Sequence, residues 1–381
     1  MNEKIYLDNA ATTKVDKEVV DEMNKFHSDK YGNASSVHSL GQEARDAMEK
    51  ARGIIAKSIN AKPEEIYFTS GGTEANNWAI KGAVWKTEKK HVITTKIDHD
   101  CVLNASKWLE KQGIKVTYLD VDKEGFVDLE HLKKEISEDT AIVSVIHGNN
   151  EVGVIQDLEK IGKICRDKGV YFHTDACQSY TKTDIDVKKQ NLDLVTLNAH
   201  KIHGPKGVGA LYIRSGVEID IFMHGGGHER KMRSGTENIP GIVGFGKSVE
   251  LADKKNIKKM SEMRDRMIKK IIDKIDNVKL NGPEGYNRLC NNINLSFNNI
   301  EGEAIAEYLD GYGIQVSTGS ACSSHTLEAS HVLKAMGLDD LCANSSIRIS
   351  LSKFNNEEEI DKVLEVLSDV VIKLRKISPF K

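Results

Sequence analysis

No apolar run in this 381-residue chain approaches the roughly 18 residues that a membrane span needs, so none is expected. The opening segment, MNEKIYLDNA, carries charge where a secretory leader would be apolar. Neither sign of charge dominates. The 54 Lys and Arg stand against 57 Asp and Glu, which excludes the basic field of a protein that binds nucleic acid directly. The six cysteines, Cys101, Cys165, Cys177, Cys290, Cys322 and Cys342, include no C-x-x-C pair. Their spacing suits neither a zinc site nor a small disulfide scaffold, so reduced thiols in a cytoplasmic protein are expected. Internal repeats and low-complexity tracts are also absent. What remains is an ordinary globular composition, long enough for one large core and a smaller companion domain.

Short runs rich in β-branched and aromatic residues alternate with helical stretches from about residue 65 to 215. The runs are 66–69, 91–95, 115–119, 141–146, 170–174, 192–197 and 208–213, and the amphipathic stretches include 73–86, 101–112 and 158–168. Strand, helix, strand in repetition predicts a mostly parallel sheet covered on both faces. Ligands bind such sheets beyond the carboxyl ends of the strands, which gives weight to motifs just after strands. From about 239 to 275 the pattern turns helical with a Lys/Glu/Asp-rich middle, and it is expected to be a long exposed connector. Beyond it, strands near 292–297, 314–317 and 347–351 and helices near 302–312 and 356–373 predict a small α+β domain. The expected division is 13–255 for the large domain, and 1–12 with 256–381 for the small one.

Three motifs follow strands. In Phe68-Thr-Ser-Gly-Gly-Thr-Glu-Ala-Asn-Asn77, Gly72 permits close backbone approach, Thr73 supplies a hydroxyl, and the N–H groups of a new helix favour an anion. In His173-Thr-Asp-Ala-Cys-Gln178, Asp175 could hold a cation such as a protonated ring nitrogen. In Leu197-Asn-Ala-His-Lys201, the lysine precedes a Gly/Pro turn, and in an apolar setting its amine would be suited to form an imine. Taken singly, these read equally as a tight turn, a helix cap and a surface lysine. Anion cradle, acid and lysine on one sheet are together the parts that pyridoxal phosphate requires.

The chain resembles the class V aminotransferase family and, within it, the cysteine desulfurases. The likeness runs from Tyr6-Leu-Asp-Asn-Ala-Ala-Thr-Thr13 to Ser345-Ser-Ile-Arg-Ile-Ser350, through Gly32-Asn-Ala-Ser-Ser36, His147-Gly-Asn-Asn-Glu-Val-Gly153 and Met223-His-Gly-Gly-Gly-His-Glu-Arg230. It implies a fold-type I pyridoxal 5'-phosphate enzyme whose large domain holds a seven-stranded sheet. By the same resemblance, Lys201 is the Schiff-base lysine, Asp175 partners the pyridinium nitrogen and Gln178 bonds the ring hydroxyl oxygen. His99 stacks on the ring and shuttles protons. Gly72, Thr73, Asn198 and His200 hold the phosphate, with Thr236 contributed across a homodimer interface. Arg348, assisted by Asn150, clamps the substrate carboxylate. Asn198 stands where the family commonly has Ser, so its side chain must reposition to reach phosphate. Asp98 precedes His99 where Glu is more usual.

The segment Val316-Ser-Thr-Gly-Ser-Ala-Cys-Ser-Ser-His-Thr326 is small and polar with a single thiol, which predicts an exposed, mobile loop over about 316–328. It resembles the longer-loop subgroup of desulfurases, which implies that Cys322 takes sulfur from L-cysteine as a persulfide and leaves L-alanine. A partner would then receive the sulfur, either an iron–sulfur scaffold or a tRNA-thiolation protein. Selenocysteine lyase or another class V aminotransferase is the alternative. Cys101 and Cys177 lie near the motifs but are expected to pack, as is Cys165. His224 and His228, set about three glycines, are not read as metal ligands, and His325 and His331 are expected at the surface.

Overall fold

Seven short runs of β-branched and aromatic residues form one sheet in the computed structural model, which describes residues 4–318 and 329–379. After a two-residue strand, Ile5–Tyr6 (β1), they are Ile66–Thr69 (β2), His91–Thr95 (β3), Lys115–Leu119 (β4), Thr140–Ser144 (β5), Tyr171–Asp175 (β6), Leu194–Asn198 (β7) and Gly209–Ile213 (β8). Their spatial order is β2-β8-β7-β6-β5-β3-β4. Neighbours are parallel except at β8, which runs against both β2 and β7. Every residue of β3, β5, β7 and β8 is buried, which is why these strands read as unbroken runs rather than as alternating ones.

Helices Lys17–Asn24 (α1), Ser39–Ser58 (α2), Gly72–Thr87 (α3), Asp100–Glu110 (α4), Leu129–Glu135 (α5), Leu158–Asp167 (α6) and Ile239–Glu250 (α7) accompany this sheet. Successive strand residues serve opposite faces. Val92, Ile142, Leu194 and Leu211 meet Trp78 and Ile80 of α3, whereas Ile93, Val143, Val195 and Tyr212 join the core of α2, α6 and α7.

The stretch 239–275 is helical as expected, but it is neither a single element nor an exposed connector. It is two helices, α7 and Lys254–Lys274 (α8), parted near Ala252, with Asp253 capping the second by accepting from the Lys255 N–H. Nearly all of α7 is buried, and its glycines let it press on α2. A Cβ on Gly246 would stand 2.8 Å from that of Ala51. Helix α8 keeps its lysines in water and buries a stripe of Met260, Met263, Met267, Ile268 and Ile271.

That stripe joins a second core with Ile5, Leu7 and residues from 290 to 374. The remaining strands are Val278–Leu280 (β9), Asn292–Phe297 (β10), Ile314–Gln315 (β11), Ser317–Thr318 (β12) and Ser346–Ser350 (β13). The expected strand 314–317 is divided at Val316. Its first half pairs with β1, and its second half joins the antiparallel sheet β12-β13-β10-β9. Helices Gly302–Gly311 (α9), His331–Ala335 (α10), Asp340–Asn344 (α11) and Glu357–Ile377 (α12) complete the described chain. A smaller cluster packs Val332, Leu333 and Met336 of the α10 region against Ile97, Ile146, Val152 and Val154 from the strand-end loops.

One turn departs from ordinary backbone geometry. Glu229, Arg230 and Lys231 have φ of 45°, 56° and 68°, and left-handed helix costs each L-residue roughly 1–2 kcal/mol. A buried clamp holds the turn. The Glu229 carboxylate accepts two 2.8 Å bonds from Arg52 and one of 2.7 Å from the Phe68 N–H.

Candidate active site

The carboxyl ends of β2, β3, β5, β6 and β7 open on one edge of the sheet, and β8 begins there. Gly209 pairs with both Thr69 and Asn198. A Cβ on Gly209 would come within 2.8 Å of the Gly71 Cα, so only glycine lets the turn after β2 lie this close. Gly71 has φ 155° and ψ −177°, a region open essentially to glycine, and it offers no side-chain cap to α3. The first-turn N–H groups of that helix thus face outward as an anion cradle. Glu74, which would oppose an anion, accepts from the Ser70 N–H and is paired with Arg233 at 2.7 and 2.9 Å.

The cradle opens into a cavity of about 290 Å³ lined by Gly72, Thr73, His99, Asn150, Asp175, Gln178, Asn198, His200, Lys201 and Arg348, together with Ala10, Ala11, Asn76, Cys101, Ile146 and Cys177. The sequence-predicted site residues are therefore brought together, apart from Thr236 and Cys322. Thr236 is exposed, outside the lining of the cavity, three residues after the Arg233 that pairs with Glu74. Cys322 and His325 lie outside the described residues. The strand that leads toward Cys322, β12, pairs with β13 at Arg348. On the far side, Ser330 donates to Glu151 at 2.5 Å and His331 Nε2 donates to the Asp98 carbonyl. His331 is thus half-buried against the site rather than a free surface residue.

At the end of β6, the Asp175 carboxylate is fixed from two sides. Its Oδ1 accepts from the Cys177 N–H at 2.8 Å, and its Oδ2 accepts from Asn76 Nδ2 at 2.6 Å. His99 caps α4, its Nδ1 accepting from the Cys101 N–H at 3.2 Å, so a neutral ring carries its proton on Nε2. Burial pushes His99 below the ordinary histidine range, against the pull of Asp175. His200 is lowered to about 4 by burial and by the nearby lysines Lys201, Lys206 and Lys182. The Lys201 amine is not in the apolar setting expected. It donates to the backbone carbonyls of Ala10 and, at 2.7 Å, of Ala11.

Arg348, only 3% exposed, pairs with Asp8 at 2.8 Å and donates to the Asn150 carbonyl at 3.2 Å, so Asn150 meets it through backbone. Its Nε is buried and has no partner among the described residues.

A family model described as aminotransferase class-V matches residues 5–363. The chain belongs to the class V aminotransferases. Among curated relatives it is 49% identical over 385 residues to cysteine desulfurase IscS of Clostridium botulinum, with 100% of this chain and 97% of that protein covered. It is 47% identical to cysteine desulfurase IscS of Methanosarcina thermophila, covering 99% of this chain and 94% of that one. A solved NifS-like protein matches with a TM-score of 0.91 at 41% identity, over 98% of this chain and 100% of its own. A structure of SspA in complex with cysteine matches at 0.83 and 37% identity, over 93% and 100%.

Class V aminotransferases use pyridoxal 5'-phosphate, and the residues here fit it. The uncapped end of α3 suits a phosphate, and Asn198 is already turned to it, with Nδ2 3.7 Å from the position of a Cβ on Gly72. Asp175, 4% exposed, suits a protonated ring nitrogen. The buried Asn76 Oδ1 and Asn198 Oδ1 have no partner among the described residues. Three contributors escaped the sequence reading. Asn76 lies one helical turn beyond Thr73, a spacing that could have pointed to it. Ala10 and Ala11 act through carbonyls, which side-chain identity does not reveal. Cys101 and Cys177, expected only to pack, line the cavity, whereas Cys165 is fully buried in α6.

Proposed function

We propose that this class V aminotransferase is a pyridoxal 5'-phosphate-dependent cysteine desulfurase that converts L-cysteine to L-alanine and carries the sulfur as a persulfide on Cys322. The observation that carries this reading is the meeting of Lys201, Asp175 and the open end of α3 in one cavity that Arg348 also lines. When bound, the cofactor supplies an electron sink for the Cα–H and C–S bonds of the substrate. Arg348 holds the substrate carboxylate, and Asp175 keeps a ring proton in place. Lys201 takes the Cα proton. His99, with its proton on Nε2, faces the same cavity as a donor. Cys322 as thiolate attacks the substrate sulfur, and the electrons of the broken C–S bond stay with the carbon skeleton. The enzyme works as a cytoplasmic homodimer in which Thr236 of one protomer completes the phosphate site of the other. Its sulfur passes to an iron–sulfur scaffold or a tRNA-thiolation protein. Among the described residues no helix is long and apolar enough to cross a membrane.

The test is the yield of alanine and sulfide from L-cysteine with dithiothreitol, for the wild type and Cys322→Ala. Equal yields that disappear in the variant are expected, while the variant still changes the visible spectrum on adding cysteine. Full turnover by Cys322→Ala would overturn the assignment. Alanine without sulfide would point to a transaminase, and a preference for selenocysteine to a lyase.

A further inference from the structure

Lys182 is a half-buried charge to which the chemistry above gives no task. Its Nζ donates to the carbonyl of Gln178 at 2.8 Å and to that of Lys201 at 3.1 Å. No carboxylate among the described residues is paired with it. Desolvation holds its ammonium down to about 8, with the charge of Lys201 adding to the shift and Cys290 opposing it. An unpaired charge taken partly out of water is costly to keep where an apolar side chain would fill the space.

The two carbonyls it holds come from loops after neighbouring strands, Gln178 after β6 and Lys201 after β7. The side chains of the same two residues meet on the opposite side. Gln178 Nε2 donates to the Ala10 carbonyl at 2.8 Å, and the Lys201 amine donates to that same oxygen. One ammonium thus gathers the backbones of Gln178 and Lys201, and one carbonyl gathers their side chains. Neither loop can shift its peptide without lengthening a bond to Lys182.

We propose that Lys182 is a positioning residue for Lys201, clasping the Lys201 and Gln178 peptides so that the amine stands at a fixed place in the cavity with a second amine behind it. The inference rests on the cofactor reading of the site and deepens it. The other titratable groups facing Lys182 are Cys177, Lys201, His200, His203 and, from the small-domain side, Cys290 with Arg264 behind it. Burial places Cys290 near 11 and both histidines near 4, and it holds Cys177 well above the usual thiol range. None of these four titrates between about pH 6 and about pH 9.

The experiment compares purified wild-type holoenzyme with Lys182→Met and Lys182→Gln. It reads the pH midpoint of the visible cofactor band, together with kcat and KM for L-cysteine. Loss of a neighbouring positive charge favours protonation at Lys201, so both variants are expected to raise the midpoint by about one pH unit. In Lys182→Met kcat is expected to fall about tenfold with KM within about twofold, because the carboxylate site at Arg348 is untouched. Lys182→Gln keeps two N–H donors, should retain more of kcat, and carries the test if Lys182→Met does not fold. A midpoint unmoved in a folded variant would overturn the clasp even where kcat falls. A wild type that takes up no cofactor would instead overturn the reading on which it rests.

Discussion

At the scale of single residues, the site depends on near contacts between groups that carry no charge. A Cβ on Gly72 would stand 2.6 Å from Cys177 Sγ, closer than such atoms approach. Gly72→Ala is therefore expected to cost about 1–3 kcal/mol of stability through overpacking and to weaken cofactor binding about tenfold. Cys177→Ala opens the room that the new methyl needs. The double variant should bind cofactor more tightly than Gly72→Ala alone, as measured by fluorescence titration, whereas strictly additive losses would show that the two do not share this contact. Much of this site was legible in the sequence, because Lys201 and Asp175 stand together with the α3 cradle at strand ends, while Arg348 was reached through the family resemblance. What was not legible acts through geometry. Asp8 pairs with Arg348 from the far end of the chain, and the carbonyls of Ala10 and Ala11 receive the Lys201 amine, contacts that only the folded path creates.

At the scale of elements, the seven strands of the large sheet were readable because each is short and rich in β-branched and aromatic residues, and all but the edge strand β4 are nearly buried on both sides. The helical character of 239–275 was legible, but its burial was misread for a physical reason. Eight Lys and Arg side chains can stand outward from α8 while its methionine and isoleucine stripe packs, and α7 is buried because its glycines let a second helix lie against it. The α2–α7 contact separates two opposing effects of glycine. Nothing lies within 4 Å of a Cβ on Gly53, midway along α2, so Gly53→Ala should stabilise the protein by about 0.5–1 kcal/mol through helix propensity. Gly246→Ala gains the same propensity but drives a methyl into Ala51, and should lose about 1–3 kcal/mol net. Urea unfolding of the two variants would decide the matter, and equal signs would mean that propensity alone governs these helices.

Over the whole molecule, acidification sets buried histidines against two buried acids. His147 and His173 are lowered to about 4 by burial, and so are the less buried His200 and His203, where nearby lysines add to it. The unfolded chain binds those protons near 6.5, so this stability is present above that pH and is lost as pH falls toward 4. Asp98 acts in the opposite direction. Burial raises it to about 7, despite bonds from Thr94 and Thr95, so its contribution is complete below about 3.8 and is lost as pH rises through 7. Burial raises Glu151 as well. Four groups outweigh two. The Tm of the protein is expected to be lower at about pH 5 than at about pH 7.5, and a rise on acidification would show that the two acids dominate. A different global constraint is set by handedness. The turn at Glu229–Lys231 is, for a molecule built from one enantiomer of its monomers, a passage in the mirror image of its usual script. At these three positions the familiar order of tolerance runs backwards. For the backbone alone, glycine, intrinsically costly in a right-handed helix, is the easiest newcomer, and a β-branched residue, welcome in the strands, is the hardest.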